Sequence, residues 1–401
     1  MLQRVIVTVV TLSICGSLLA QESETEQRLK ELQRQIDILT QEIEALKTPQ
    51  AAAKPVAAGV QQYGLGAAAS KVYRAQVGVS FGGYGEMIYQ NHDQSEADTA
   101  DLLRAVLYTG YKFNDRILFN SELEVEHAST ESGGAVSMEF AYIDFLQKPS
   151  LNYRAGVVLL PIGLINEQHE PTAYLGARRP AVERLIIPAT WGELGAGVFG
   201  ETGNISYRGY LVTGLNAAHF DSEEGIREGR QAGAEALAED WAVVGRADWH
   251  PFEGIMFGGS LYSGNSGQTQ NFSGRVTLGE IHSDAKFRGI SLRALYARGS
   301  IGDAARINAA NGLTGDESIG ETFGGWYTEA GYAIGHFTPY ARYEQLDTQR
   351  SVPAGFERNP ANNQTITTLG VAFKPISQTV IKVDYQNTRV NQWNIAVGYI
   401  F

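Results

Sequence analysis

From residue 72 to Phe401 the chain keeps a hydrophobic period of two, in segments of about ten residues. In QWNIAVGYIF, Trp393, Ile395, Val397, Tyr399 and Phe401 share one face, while Asn394, Ala396 and Gly398 share the other. In TVIKVDYQNT, Ile381, Val383 and Tyr385 alternate with Lys382, Asp384 and Gln386. In DWAVVGRADWHP, Trp241, Val243, Ala247 and Trp249 alternate with Arg246, Asp248 and His250. About ten residues is the length of a strand tilted across a bilayer, and aromatic residues near strand ends suit its two interfaces.

Roughly sixteen such segments follow from the alternation rule. They lie near 72–90, 102–113, 116–127, 137–146, 152–160, 192–202, 205–214, 241–250, 255–263, 270–283, 287–299, 322–334, 338–348, 363–374, 378–388 and 392–401. Tight connections (ND at 114–115, QKPS at 147–150, PFEG at 251–254) alternate with long ones at 91–101, 161–191, 215–240, 300–321 and 348–362. An even strand count with short turns at one end and long loops at the other predicts a 16-stranded antiparallel transmembrane β-barrel. A stack of soluble sandwiches would share the period of two. It is disfavoured because the polar face carries glycine and charge in strand after strand, with aromatics at strand ends.

The first twenty residues, MLQRVIVTVVTLSICGSLLA, have an early arginine, an apolar run and a small residue at Ala20, the layout of a signal peptide. Acylation at Cys15 is disfavoured because Ile14 stands where a small residue is wanted. Cys15 is the single cysteine, so cleavage near Ala20 leaves neither disulfide nor thiol chemistry. No other stretch reaches about 18 consecutive apolar residues, the length of a helical span. A net charge of −12 argues against a nucleic-acid partner. Within 22–47, Leu29, Ile36 and Ile43 at a, with Leu32, Leu39 and Leu46 at d, predict a short coiled coil, stable once something else gathers the chains. A single amphipathic helix lying on a domain is the alternative. Residues 48–71, rich in Ala, Gly and Pro, read as a linker, and 72–401 as the barrel. Both barrel ends then fall on the tight-turn side, expected to be periplasmic.

The ending Tyr399-Ile400-Phe401 resembles the C-terminal signal read by outer-membrane assembly machinery. VVLLPIGLINEQHEP, AVERLIIPATWGELGAGVFGE and GNISYRGYLVTGLN, spanning about 154–216, resemble the phosphate-selective porin O and P family, with Pro161-Ile162-Gly163 and Glu183-Arg184 at its corner and loop pair. The helix and linker are similar to the periplasmic extension of sucrose-type porins. The resemblance implies a sixteen-stranded homotrimeric barrel in the outer-membrane lipid, while phosphate selectivity does not follow from it. It also implies that the third long loop, 161–191, folds into the bore. Arg178, Arg179, Glu183 and Arg184 would then face water at the constriction, and the aliphatic Leu185-Ile186-Ile187 would press on the wall or a neighbouring subunit.

Projection of the strands places Arg104, Arg154, Arg208, Arg246, Arg275, Arg293, Arg342 and Lys382 in the lumen, with Arg74 and Lys112. Glu122, Glu124, Glu126, Asp248, Glu329, Glu344 and Asp384 share those faces. A basic lumen concentrates small anions. The alternative is that these arginines pair with the acids and only hydrate the wall. The expected function is a diffusion channel for small hydrophilic solutes with a slight anion bias, phosphate-like ions included. A sugar-preferring porin is an alternative. So is a structural barrel tethered to peptidoglycan through the coiled coil. GVSFG, 78–82, fits the G-x-S-x-G pattern, but Ser80 stands in a strand pattern rather than a nucleophile elbow. His169, flanked by Glu167 and Glu170, lacks the H-E-x-x-H spacing of a helical zinc site and reads as a loop-surface residue. No catalytic residue, metal or cofactor is assigned.

Overall fold

The computed structural model describes residues 28, 30–35, 62–93, 97–128 and 133–401. The expected signal peptide, most of the coiled coil and linker residues 48–61 lie outside them; residues 30–35 are helical and exposed. The chain divides into two units, Met1–Ala57 and Ala58–Phe401, and every strand belongs to the second.

The strands are β1 Gly78–His92, β2 Thr99–Lys112, β3 Ile117–Glu126, β4 Ala135–Lys148, β5 Leu151–Leu159, β6 Gly192–Thr202, β7 Ile205–Thr213 and β8 Trp241–Phe252. The second half is β9 Ile255–Gly264, β10 Val276–Phe287, β11 Ile290–Ile301, β12 Thr322–Tyr332, β13 Phe337–Ser351, β14 Asn363–Ile376, β15 Thr379–Asn387 and β16 Gln392–Ile400. Each pairs antiparallel with its sequence neighbours, and β1 closes on β16 from Tyr84↔Ile400 to His92↔Gln392. Closure removes every sheet edge, which a lipid environment demands because hydrocarbon offers no partner to a free backbone group.

The barrel is inside-out relative to a soluble sandwich. On β16, Trp393 and Ile395 are 51% and 45% exposed, while Asn394 between them is fully buried. The same inversion recurs on β15, where Ile381 and Val383 face out and Lys382 and Asp384 face in. Outward aromatics gather in two belts. Tyr111–Phe113 and Phe337–Phe373 lie near the tight turns, and Trp326–Tyr343 and Tyr385–Trp393 lie nearer the long loops. These are the girdles that amphipathic rings form at two membrane interfaces.

The sequence places the first strand at 72, but it begins at Gly78. The preceding residues differ from a free linker. Residues 62–70 turn back on themselves and lead into a short helix, α1 (Lys71–Arg74), with Leu65, Ala68 and Val72 buried. Small residues there allow close approach to the inner wall rather than slack. Gly66 stands where a Cβ would meet the Glu170 carboxyl at 2.4–2.5 Å.

Gly156 turns β5 toward the long loop that follows. Its φ is +138°, and a Cβ there would lie 2.2 Å from the Ala141 carbonyl oxygen. Gly156→Val adds backbone strain of roughly 1–3 kcal/mol to that clash. The variant should yield markedly less of the heat-modifiable folded species on a semi-denaturing gel.

Candidate functional site

Residues 160–191 connect β5 to β6 and fold into the barrel. An irregular backbone buried there must find partners for its N–H and C=O groups without a ladder of its own. Asn166 closes the neck: its amide donates to Leu160 O and Trp191 O (2.8 and 2.9 Å), and its carbonyl accepts from Trp191 N at 2.6 Å.

Beyond the neck the wall supplies the partners. Carboxylates accept loop donors: Asp384 from Ala177 N (2.7 Å), Glu344 from Val182 N (3.2 Å) and Glu86 from the Tyr174 hydroxyl (2.6 Å). Cations donate to loop carbonyls: Lys374 to Thr172 (2.9 Å), Arg293 to Ala173 (3.3 Å), Arg342 to Arg178 (3.3 Å) and Arg246 to Gly163. These anchors stand on β1, β8, β11, β13, β14 and β15, so the loop spans the bore rather than hugging one side.

Glu183, expected to face water, is instead fully buried within the loop. It accepts from Leu164 N (3.0 Å), Ile165 N (3.1 Å) and the Tyr327 hydroxyl (2.8 Å). Three donors on one carboxylate explain why an acid sits beside the buried Leu185, Ile186 and Ile187. His169 is likewise buried rather than on the surface. Its Nε2 lies 3.0 Å from Glu122 on β3, and its neighbours face other elements. Glu167 pairs with Arg208 at 3.4 Å, and Glu170 accepts from Ala68 N and Ala69 N at 2.8 and 3.0 Å. The 62–74 segment is therefore seated partly on the loop. It is also held to the wall by Asn120 donating to Ala69 O (3.0 Å) and by Tyr73 donating to Asp144 (2.6 Å).

Most of the projected basic residues do face inward, and nearly all are matched by acids. Arg154 pairs with Asp144 at 2.8 Å, Arg208 with Asp248 at 2.5 Å, Arg246 with Asp248 at 2.8 Å and Arg293 with Asp284 at 2.7 Å. Arg342 pairs with Glu344 at 2.8 Å, and Arg104 lies 3.5 Å from Glu86 and 3.6 Å from Glu124. Lys382 places its ammonium 3.6 Å over the Tyr174 ring. Arg275 differs. It is exposed and donates to Ser263 Oγ (2.9 Å), which shares the outward face of β9 with exposed Leu261. Arg275 precedes the first residue of β10, and its parity there matches outward Thr277 and Ile281, so it is not a lumen residue.

What remains uncompensated lies where the bore opens toward the long loops. A cavity of about 220 Å³ is lined by Arg104, Arg178, Arg179, Arg184 and Arg342 with Glu86 and Glu344; Arg104, Arg184 and Arg342 are paired to acids, whereas Arg178 and Arg179 have no carboxylate partner among the described residues. The Arg178 side chain has no ion pair or hydrogen bond among the described residues. Burial, followed by Arg184 and Arg104, presses its pKa below the usual arginine value. Arg184 pairs with Glu224 at 3.0 Å in the loop after β7. From the same loop, Arg227 donates to Arg184 O (3.0 Å) and Ala189 O (2.7 Å), while Arg230 donates to Pro188 O (3.1 Å). Burial and the neighbouring Arg230 and Arg184 bring Arg227 down to about 9. From the sequence, 215–240 is only one of the long connections. Its IREGR run was the available signal.

Ser80 lies within β1, in register with Gly110, and so is not on a strand-to-helix turn. Within the wall, a row of inward aromatics runs Tyr84–Tyr108–Phe140–Tyr142, with centroid spacings of 5.3–6.0 Å.

No family model matches the chain. A protein of Aquifex aeolicus (strain VF5), described as uncharacterized, is 37% identical over 341 residues, covering 80% of this chain and 78% of the relative. Among solved structures, the trimer form of OmpT, an outer membrane protein of Vibrio cholerae, is 11% identical with a TM-score of 0.52, over 81% of this chain and all of that one. Salmonella typhi OmpF in complex with daunomycin is 12% identical with a TM-score of 0.52, over 80% of this chain and 97% of that one. At such identities the likeness shows a shared porin-type barrel fold.

Removing the Glu183 carboxylate strands three buried donors at roughly 1–3 kcal/mol each. Glu183→Ala should therefore raise amide exchange at Leu164 and Ile165 by more than tenfold while β-strand amides keep their protection. Hydrogen-exchange mass spectrometry checks this.

Proposed function

We propose that this chain, which belongs to the same family as the Aquifex aeolicus protein, forms a narrow channel in the bacterial outer membrane for small hydrophilic solutes, leaning to anions. The loop 160–191 is its constriction, and Arg178, Arg179 and Arg184 are the charges a solute meets there. The observation that carries the reading is the pair Arg178 and Arg179, which line the cavity at the loop with no carboxylate partner among the described residues. Most other inward arginines are paired with acids. A focused positive potential at a narrow mouth selects by sign even when the whole protein is acidic.

The inward set Arg104, Arg154, Arg208, Arg246, Arg293, Arg342 and Lys382 acts in this proposal chiefly to seat the loop and polarise the wall. Phosphate-like ions suit Arg178 and Arg179 by bidentate geometry. The barrel works as a homotrimer, and the coiled coil expected at 22–47 is the segment that would bind peptidoglycan. The inward aromatic row from Tyr84 to Tyr142 favours a second reading, a sugar-preferring pore, because pyranose faces stack on such rings.

Reversal potential across planar bilayers under a salt gradient tests the first reading. The full chain should pass anions preferentially, and Arg178→Gln with Arg179→Gln should lower the anion-to-cation permeability ratio several-fold. A cation preference, or selectivity unchanged in the double variant, contradicts it. Block of current by an oligosaccharide, without any effect of phosphate, supports the sugar reading.

A further inference from the structure

The outer wall carries a feature that conduction does not use. On β9–β12 an apolar groove of about 530 Å³ runs between Phe257 and Ile281 on one side and Tyr296 and Trp326 on the other, over the small side chains of Ser283, Ala294 and Thr328. Toward the long-loop end, and sharing Tyr296 and Trp326, lies a polar niche of about 350 Å³ bounded by Gly324, Gln345, Arg350 and Arg358. Arg298 stands two residues beyond Tyr296 on the same exposed face of β11, in register with Gly279 and Gly324.

Arg298 and Arg350 are exposed and have no ion pair or hydrogen bond among the described residues; Arg358 pairs with Asp347. Trp326 and Tyr343, ring centroids 5.4 Å apart, belong to the upper aromatic belt and mark the interface depth. Guanidinium groups just beyond that belt lie at headgroup depth, where charged side chains meet water and anions. The anion available at that depth is a lipid phosphate, whose oxygens match the guanidinium fork. Directly below, the groove offers an acyl chain a small-residue floor between aromatic and aliphatic walls.

We propose that this surface binds a phosphate-bearing lipid of the outer leaflet, with an acyl chain over Ser283, Ala294 and Thr328 and a phosphate on Arg298 and Arg350. Gly324 allows β11 and β12 to approach closely at this seat: a Cβ there would lie 2.7 Å from the Ala297 carbonyl oxygen and 3.3–3.6 Å from Cα and Cβ of Arg298. The proposal rests on the barrel spanning a bilayer and is independent of whether the bore conducts.

The test uses the full chain inserted into phosphatidylcholine vesicles doped with bisphosphorylated lipid A, then extracted gently and analysed by native mass spectrometry. Wild type should retain lipid A. Arg298→Gln with Arg350→Gln should retain roughly ten- to thirty-fold less. Ala294→Trp, which fills the groove without touching charge, should also lose it, and dephosphorylated lipid A should not be retained. Heat-modifiable gel mobility confirms that each variant is folded. A photo-crosslinker at Thr328 should label lipid A. Equal retention in the arginine variant overturns the proposal, as does crosslinking of Thr328 to a second copy of the chain. Flotation with pure phosphatidylcholine vesicles tests the membrane reading separately, and a folded chain that fails to float refutes that premise and the proposal with it.

Discussion

An irregular loop buried in a closed barrel can exist only if the wall satisfies its backbone. Here acids on β1, β13 and β15 accept its donors, and cations on β8, β11, β13 and β14 serve its carbonyls. The alternation of the strands supplies those groups at every second position, so the pattern that makes a transmembrane wall also makes the loop's anchorage. Remove the inward charges and residues 160–191 lose most of their hydrogen-bond partners on the wall.

That division of labour settles what the lumen charges do in aggregate. Pairs such as Arg154–Asp144 and Arg246–Asp248 are buried, and burying one partner alone would cost several kcal/mol. Their presence argues for placement and rigidity rather than for attraction of solute. The 62–74 segment extends the same logic to the tight-turn end, where Glu170 of the loop accepts two of its backbone donors. At the opposite end, Arg178 and Arg179 line a cavity without a carboxylate partner among the described residues.

The barrel was legible because a period of two leaves a mark on every strand: the sixteen segments read from the sequence are the sixteen strands of the ring, with ends shifted by a few residues. The outward placement of Arg275 was missed because parity is lost where a strand meets its loop. Glu183 was misread as solvent-facing, since nothing local reports that Leu164, Ile165 and Tyr327 converge on it. His169 was misread for the same reason, its partner Glu122 being 47 residues away. The seat of 62–74 was hidden by composition: Ala and Gly mark flexible linkers and also segments that must approach another backbone closely. Long-range pairing of this kind has no period.

The most direct test of a bore spanned by an anchored loop is single-channel conductance in planar bilayers, comparing the full chain with a variant in which residues 174–187 are replaced by a short glycine-serine bridge. The account predicts a small conductance for the full chain and a several-fold rise on removal of the inward segment, with the folded barrel retained on a semi-denaturing gel. Equal conductance from two folded proteins would contradict it.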